Sequence, residues 1–140
     1  MFSWKGKCLN LFDRQSVSIG LDFNYRHIWE QNGYLIELVF FSSQADEESY
    51  CRYEKYQFSY VEQFIAILME DEIHVYRYNT RKIKTQPVYV SKIKTVEEPE
   101  FLLFLKDTIF GVFYKTHLIV NQIEETNYIR QIFNKSYGVA

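Results

Sequence analysis

The amino-acid sequence predicts an α+β domain: a mostly antiparallel, curved sheet of about six to seven strands with about two to three short helices, one of them at the C-terminus. Three observations lead there. Val, Ile, Thr, Phe, Tyr and Trp supply 55 of the 140 residues, and Ala, Leu and Met only 15, a balance that favours pleated surfaces over helices. Several segments alternate apolar and polar residues, and neighbouring ones are mostly too close in sequence for a parallel crossover. Three further segments carry helix-start signals ahead of apolar residues at helical spacing.

In chain order, Val17, Ile19, Leu21, Phe23, Tyr25, His27 and Trp29 occupy every odd position of residues 17–29. That period of two predicts a long strand with one buried face, with Gly20 as a bend or bulge. Asn32-Gly33 follows and predicts a tight hairpin turn, because both residues tolerate positive φ. Residues 34–41, YLIELVFF, are apolar on nearly both faces and read as a central strand. Residues 43–58 fit a helix capped by Ser43, or a loop over 42–49 followed by a strand, and the second reading is preferred. Ser59-Tyr60-Val61-Glu62 matches a capping box, and Val61, Phe64, Ile65 and Leu68 follow at helical spacing, predicting a short helix over 60–69 with a strand as its rival. Glu72 to Tyr78 and Pro87 to Val96 read as strands, the second with a bulge near Ser91 where its apolar parity shifts. Pro99 between acids, ahead of FLLFL, predicts a helix start. Thr108 to Tyr114 and Thr116 to Val120 read as a hairpin. Asn121 as cap, Glu124 and Glu125 in the first turn, and a stripe of Tyr128, Ile129, Ile132 and Phe133 predict the C-terminal helix, stopped by Gly138.

A length of 140 residues with 47% hydrophobic content fits a single globular domain over 1–140. No run of about 18 apolar residues exists, so no membrane helix is expected. Lys5 and Lys7 are not followed by an apolar stretch, so no secretory signal is expected. The two cysteines, Cys8 and Cys51, form no CxxC pair, and free thiols in a reducing cytoplasm are expected. The Asn134-Lys135-Ser136 sequon is discounted on the same ground. No internal repeat or low-complexity tract is visible.

Catalytic and cofactor chemistries find no constellation. His27, His74 and His117 stand alone, without metal-ligand spacing. Neither cysteine has the flanks of a nucleophile, although Arg52 adjoins Cys51. The glycines are too dispersed for a phosphate-cradling loop. The carboxylate runs Asp46-Glu47-Glu48, Glu70-Asp71-Glu72 and Glu97-Glu98 with Glu100 suit solvated element boundaries better than paired acid–base work. No enzyme activity, metal or cofactor is therefore expected. An enzyme would need one of the histidines to meet a carboxylate in a cleft.

The net charge of −2 hides two opposite segments. Residues 76–95 carry six bases and no acid, whereas residues 44–72 carry two bases and eight acids. Tyr76, Arg77, Tyr78, Arg81, Lys82, Lys84, Tyr89, Lys92 and Lys94 interleave bases with aromatics and form the candidate binding set. With 12 tyrosines in the chain, more than a core needs given that each buried hydroxyl requires a partner, several are expected at the surface, where Tyr serves recognition. The leading expectation is a non-enzymatic protein-binding module, of which an inhibitor or immunity-type protein is one form. A small-ligand-binding partial barrel lined by Tyr25, His27 and Trp29 is an alternative. Single-stranded nucleic-acid binding through 76–94 is another, opposed by the acidic sequence pI of about 5.9. The two charged segments could equally face each other. An exposed strand edge would also permit a homodimer.

Overall fold

The β-forming composition dominates the structure, a computed structural model in which residues 6–13, 25–42, 47–48, 50–59, 63–79 and 85–137 are described. The strands are β1 (Gly6–Asp13), β2 (Tyr25–Gln31), β3 (Tyr34–Phe41), β4 (Tyr56–Phe58), β5 (Phe64–Met69), β6 (Glu72–Arg77), β7 (Val88–Lys94), β8 (Phe101–Lys106), β9 (Ile109–Phe113), β10 (His117–Ile123) and β11 (Ile129–Ser136). They form three antiparallel sheets, ordered β1-β3-β2, β4-β5-β6-β7 and β11-β10-β9-β8. Among the described residues, helical geometry is limited to one turn, in which Cys51 N–H donates to the Glu47 carbonyl at 3.1 Å. The described residues are nearly all β, which corrects the α+β expectation. The chain divides into two compact units, Met1–Glu54 and Lys55–Ala140.

In the first unit, Asn32 (φ 57°) and Gly33 (φ 84°) make the turn between β2 and β3, as Asn-Gly predicts. The central β3 is buried from Ile36 to Phe41. The long strand predicted over 17–29 is present from Tyr25 onward, and residues 17–24, with Gly20, lie outside the described residues. One face of this sheet carries Cys8, Asn10, Arg26 and Glu37 in register. The 47–53 segment is stitched across that face. Cys8 and Cys51 form a disulfide, which corrects the expectation of free thiols and removes the premise of a reducing setting. The Asn10 side-chain oxygen accepts the backbone N–H groups of Arg52 (2.9 Å) and Tyr53 (3.2 Å). The fully buried Glu37 carboxylate takes the Tyr50 hydroxyl between its oxygens at 2.7 and 2.8 Å, with Arg26 at 3.2 Å and the Asn10 amide at 3.4 Å.

The second unit is a repeat that the residues do not advertise. Tyr56, Phe64 and Glu72 open β4, β5 and β6, and Phe101, Ile109 and His117 open β8, β9 and β10, each 45 residues further on. Both sheets are up-and-down meanders, and they pack on one core. Phe64, Ala66, Leu68, Ile73, Val75 and Val90 face Leu102, Phe104, Phe110, Val112, Ile119, Ile123 and Ile129 there. At the 45-residue offset, the first sheet's core residues correspond to Ile109, Gly111, Phe113, Leu118 and Val120. Those lie on the face of the second sheet turned away from the core. The two sheets therefore stack in the same sense, each burying a different face against the other.

The three expected helices fail for physical reasons. Phe64–Met69 is buried at every position, so apolar residues recur at helical spacing merely because they recur at every spacing. Ser59 does cap, but it caps a chain reversal into a strand. Its hydroxyl accepts from Gln63 N–H (2.9 Å) and Phe64 N–H (3.1 Å), and the rest of the predicted box, 60–62, lies outside the described residues. FLLFL pairs along β9 as a strand, with Glu100 N–H donating to the Phe113 carbonyl at 2.7 Å just after Pro99. In the C-terminal segment, Glu124 to Tyr128 form a turn with Asn127 at φ 60°. Val120 then pairs with Phe133 while Asn121 pairs with Gln131, leaving Ile132 as an extra residue. That bulge breaks the period of two and imitates a helical stripe. The bulge expected near Ser91 is present one residue away. Val75 pairs with Ser91 and Tyr76 with Tyr89, which leaves Val90 extra.

Candidate docking surface

The described residues of the basic window divide between interior and surface. Tyr76 (1% exposed) and Tyr78 are buried. Arg77 lays its guanidinium 5.3 Å from the centre of the Phe64 ring, a cation–π contact. Lys92 donates to Glu72 at 2.9 Å. Tyr89 sits half out of the surface with its ring 5.6 Å from Tyr76 and 6.0 Å from His74. Lys94 is exposed opposite Glu72 in the register. Arg81, Lys82 and Lys84 lie outside the described residues. The sequence thus placed nine residues in one set, of which Arg77, Tyr89, Lys92 and Lys94 are at the described surface.

The same region holds an acid–base cluster. β6 and β7 set Glu72, His74 and Lys92 on one face. His74 is fully buried, with Nε2 3.4 Å from Glu72 Oε1. Its Nδ1 has no hydrogen-bond partner among the described residues. Burial pushes the imidazole below its ordinary 6.5, against the pull of Glu72. The Lys92 ammonium, more than His74, holds the Glu72 carboxyl below its ordinary 4.5, and Glu72 in turn raises Lys92. Burial raises the Tyr89 hydroxyl. A neutral His74 destabilises the fold as pH falls. The unfolded chain takes up a proton near pH 6.5 and the folded chain resists it, so stability is complete above that pH and declines below it. Glu72 acts in the same direction at lower pH, since its stabilisation is lost as the carboxylate protonates below about 4.5. Melting temperature is therefore expected to drop between pH 7 and pH 5. His74→Leu should remove that slope, because Ile119 stands at the corresponding place in the second sheet. Parallel melting curves for the two proteins across this range would show that His74 does not resist protonation.

A larger feature lies on the far face of the sheet formed by β8 to β11. Residues directly opposite in an antiparallel pair share a face. Phe101 pairs with Phe113, Leu103 with Gly111, Leu118 with Phe113, and Val120 with both Gly111 and Phe133. The face away from the core is thus apolar in these rows across all four strands, with Gly111 and Val120 in the middle buried and Phe113 and Leu118 half-buried. Phe101 (52%), Leu103 (41%) and Phe133 (45%) are well exposed, and the Phe101 and Phe113 rings stack with centres 4.4 Å apart. Gly111 keeps the middle of the field low, with the Phe113 ring and Leu118 closing over the place where a Cβ would stand. Lys106 and Lys135 are exposed on the two edge strands. Seven of the eleven exposed large apolar residues of the described chain, counting Leu105, Tyr128, Ile132 and Tyr137, fall between residues 101 and 137. The sequence reading missed this face because helical assignments of 99–105 and 121–133 hid the alternation of Phe101 and Leu103 with Leu102 and Phe104.

Tyr25, His27 and Trp29 alternate along one face of β2 and are half-buried, with the Tyr25 and His27 rings 5.1 Å apart. Among the described residues they sit on a three-stranded sheet ordered β1-β3-β2. His117 stacks on Tyr114 at 4.6 Å and lies 3.8 Å from Glu97. No group of His, Cys, Asp and Glu among the described residues is arranged to hold a metal ion. No helix among them is long and apolar enough to cross a membrane. The chain matches no protein-family model and no curated protein.

Proposed function

We propose that this chain is a non-enzymatic protein-binding module whose partner docks on the outer face of the β8–β11 sheet. The observation that carries the reading is the exposure of Phe101, Leu103 and Phe133, beside the half-buried Phe113 and Leu118, on a sheet whose other face is already packed. Contiguous exposed apolar patches on folded proteins mark interaction sites, whereas scattered apolar residues do not. The charged margins at Lys106 and Lys135 resemble the polar rim that surrounds the apolar centre of an interface. The basic window contributes less, because Lys92 and Arg77 are engaged within the sheet and Tyr76 and Tyr78 are interior.

The test compares the wild-type chain with a Leu103→Glu, Phe133→Glu variant in a native pull-down from source cells. Both positions are exposed, so the variant is expected to melt like wild type. A stoichiometric protein that co-elutes with wild type and is lost from the variant supports the reading. Identical co-elution with both proteins overturns it.

A further inference from the structure

The Cys8–Cys51 bond joins a sheet to a segment that lies across it. The pairing of β1 and β2 with β3 runs through the backbone over Gly6–Asp13 and Tyr25–Gln31 and makes no use of the sulfurs. Among the described residues, the 47–53 segment enters no strand ladder. It is attached by the disulfide and by the Arg52 and Tyr53 amides on the Asn10 oxygen. Tyr50 adds its hydroxyl on Glu37 and its ring, edge-on to Phe41 at 5.9 Å. Beneath the segment the Glu37 carboxylate is fully buried. A carboxylate withdrawn from water opposes its own enclosure, so the strap covers a group that favours opening. Ordering the backbone of several residues also costs more than a few hydrogen bonds return net. The covalent link therefore keeps the segment seated.

We infer that this bond is a redox latch: a dithiol reductant opens it, the 47–53 segment leaves the sheet, and Asn10, Arg26 and Glu37 become a water-accessible polar surface while β1, β2 and β3 stay paired. The latch is independent of the docking reading above. Its two sulfurs are unequal. Cys8 is 1% exposed, whereas Cys51 is half-buried at the surface, so an incoming thiolate meets the Cys51 sulfur first. The exposed Arg52 donates its guanidinium to the Cys51 carbonyl at 3.2 Å, which holds a positive charge beside that approach. The reductant thiolate forms a bond to Cys51 Sγ, the Cys8–Cys51 bond breaks, and its electron pair passes to Cys8 Sγ. The Asn10 amide, 3.9 Å from that sulfur, donates to it as the charge arrives, and a proton from solvent completes the thiol. The second reductant thiolate then attacks the first reductant sulfur, closes the reductant's own disulfide and releases the Cys51 thiolate, which takes up a proton. Two electrons and two protons thus pass from the dithiol to Cys8 and Cys51.

Residue-resolved hydrogen exchange by NMR on the full chain, with and without dithiothreitol, tests the latch. On reduction the Arg52 and Tyr53 amides should exchange about 100-fold faster or more, as a segment that opens locally does. The Ile36 to Phe40 amides of β3 should keep their protection, and re-oxidation should restore the original rates. Glutathione serves as a monothiol probe of the direction of attack. Quenched early with acid and mapped by peptide mass spectrometry, it should be found on Cys51. Protection at Arg52 and Tyr53 that survives reduction of both sulfurs overturns the inference. So does a loss of protection shared by β3, which would make the bond a staple for the whole sheet. A bond that dithiothreitol leaves intact under native conditions overturns it as well. Glutathione on Cys8 overturns the assigned direction. The Cys8→Ser, Cys51→Ser variant should exchange at the reduced rate in either buffer, and slow exchange of its Arg52 and Tyr53 amides would show that the segment stays seated without the bond.

Discussion

Reduction of the Cys8–Cys51 bond is expected to destabilise the chain by about 4 kcal/mol. The bond closes a loop spanning a sequence separation of 43 residues. Loop-closure entropy for that length corresponds to about 4 kcal/mol at room temperature. The bond also holds the 47–53 segment on its sheet, where the backbone N–H groups of Arg52 and Tyr53 meet Asn10. At a denaturant slope of about 2 kcal/mol/M, the urea midpoint should fall by about 2 M on adding reductant. The Cys8→Ser, Cys51→Ser variant should show the same midpoint with or without reductant. Tryptic cleavage after Arg52, which is exposed, should accelerate in both cases. A wild-type midpoint indifferent to reductant would mean that the two thiols are not joined in solution.

Replacing Glu37 with Leu is expected to cost about 3 kcal/mol, despite similar size and a more apolar side chain. Glu37 is fully buried, and its carboxylate gathers the Tyr50 hydroxyl, the Arg26 guanidinium and the Asn10 amide. Deleting the acceptor strands those groups where water cannot fully replace it, which costs more than the net worth of the bonds themselves. Glu37→Gln keeps one acceptor oxygen and should cost about half as much. Tyr50→Phe in the Glu37→Leu background should recover about 1 kcal/mol, because the hydroxyl left without its acceptor goes too. Equilibrium urea unfolding measures all three. A neutral Glu37→Leu would show that the carboxylate is solvated rather than enclosed.

Local chemistry was readable where one or two residues decide the geometry. Asn32-Gly33 needs both residues at positive φ, and few other pairs accept that. The shift of apolar parity near Ser91 is itself the mark of a bulge, so the sequence displayed it. The strands over 72–78 and 87–96 were legible because one face of each is polar enough to show alternation. Legibility failed where both faces of a strand are apolar. Phe64–Met69 and Phe101–Lys106 lack any period, and capping signals at Ser59 and Pro99 then tipped the reading toward helix. It failed again at Ile132, where a bulge gave a strand the spacing of a helix.

The candidate site was less legible than the fold. Charge runs are visible in sequence, so the basic window drew notice. What a base does with its charge depends on its partner across the sheet. Lys92 met Glu72 through a strand pairing that separates them by 20 positions in the chain. Phe101, Leu103, Phe113, Leu118 and Phe133 looked like ordinary core residues, and nothing in their types tells an apolar face that is covered from one that is not.

By itself the sequence determined the β-rich composition, the turn at Asn32-Gly33, the absence of a long apolar helical span and the scarcity of spacing-dependent motifs. These depend on residue type and on neighbours within a few positions. Tertiary structure alone decided the pairing of Cys8 with Cys51, the enclosure of Glu37, the 45-residue repeat and the open apolar face. Each of those depends on which distant strand arrives alongside. The repeat shows why most plainly: Phe64 and Ile109, or His74 and Ile119, share a place in the fold without sharing an identity, because a sheet position asks for burial and shape rather than for a particular side chain.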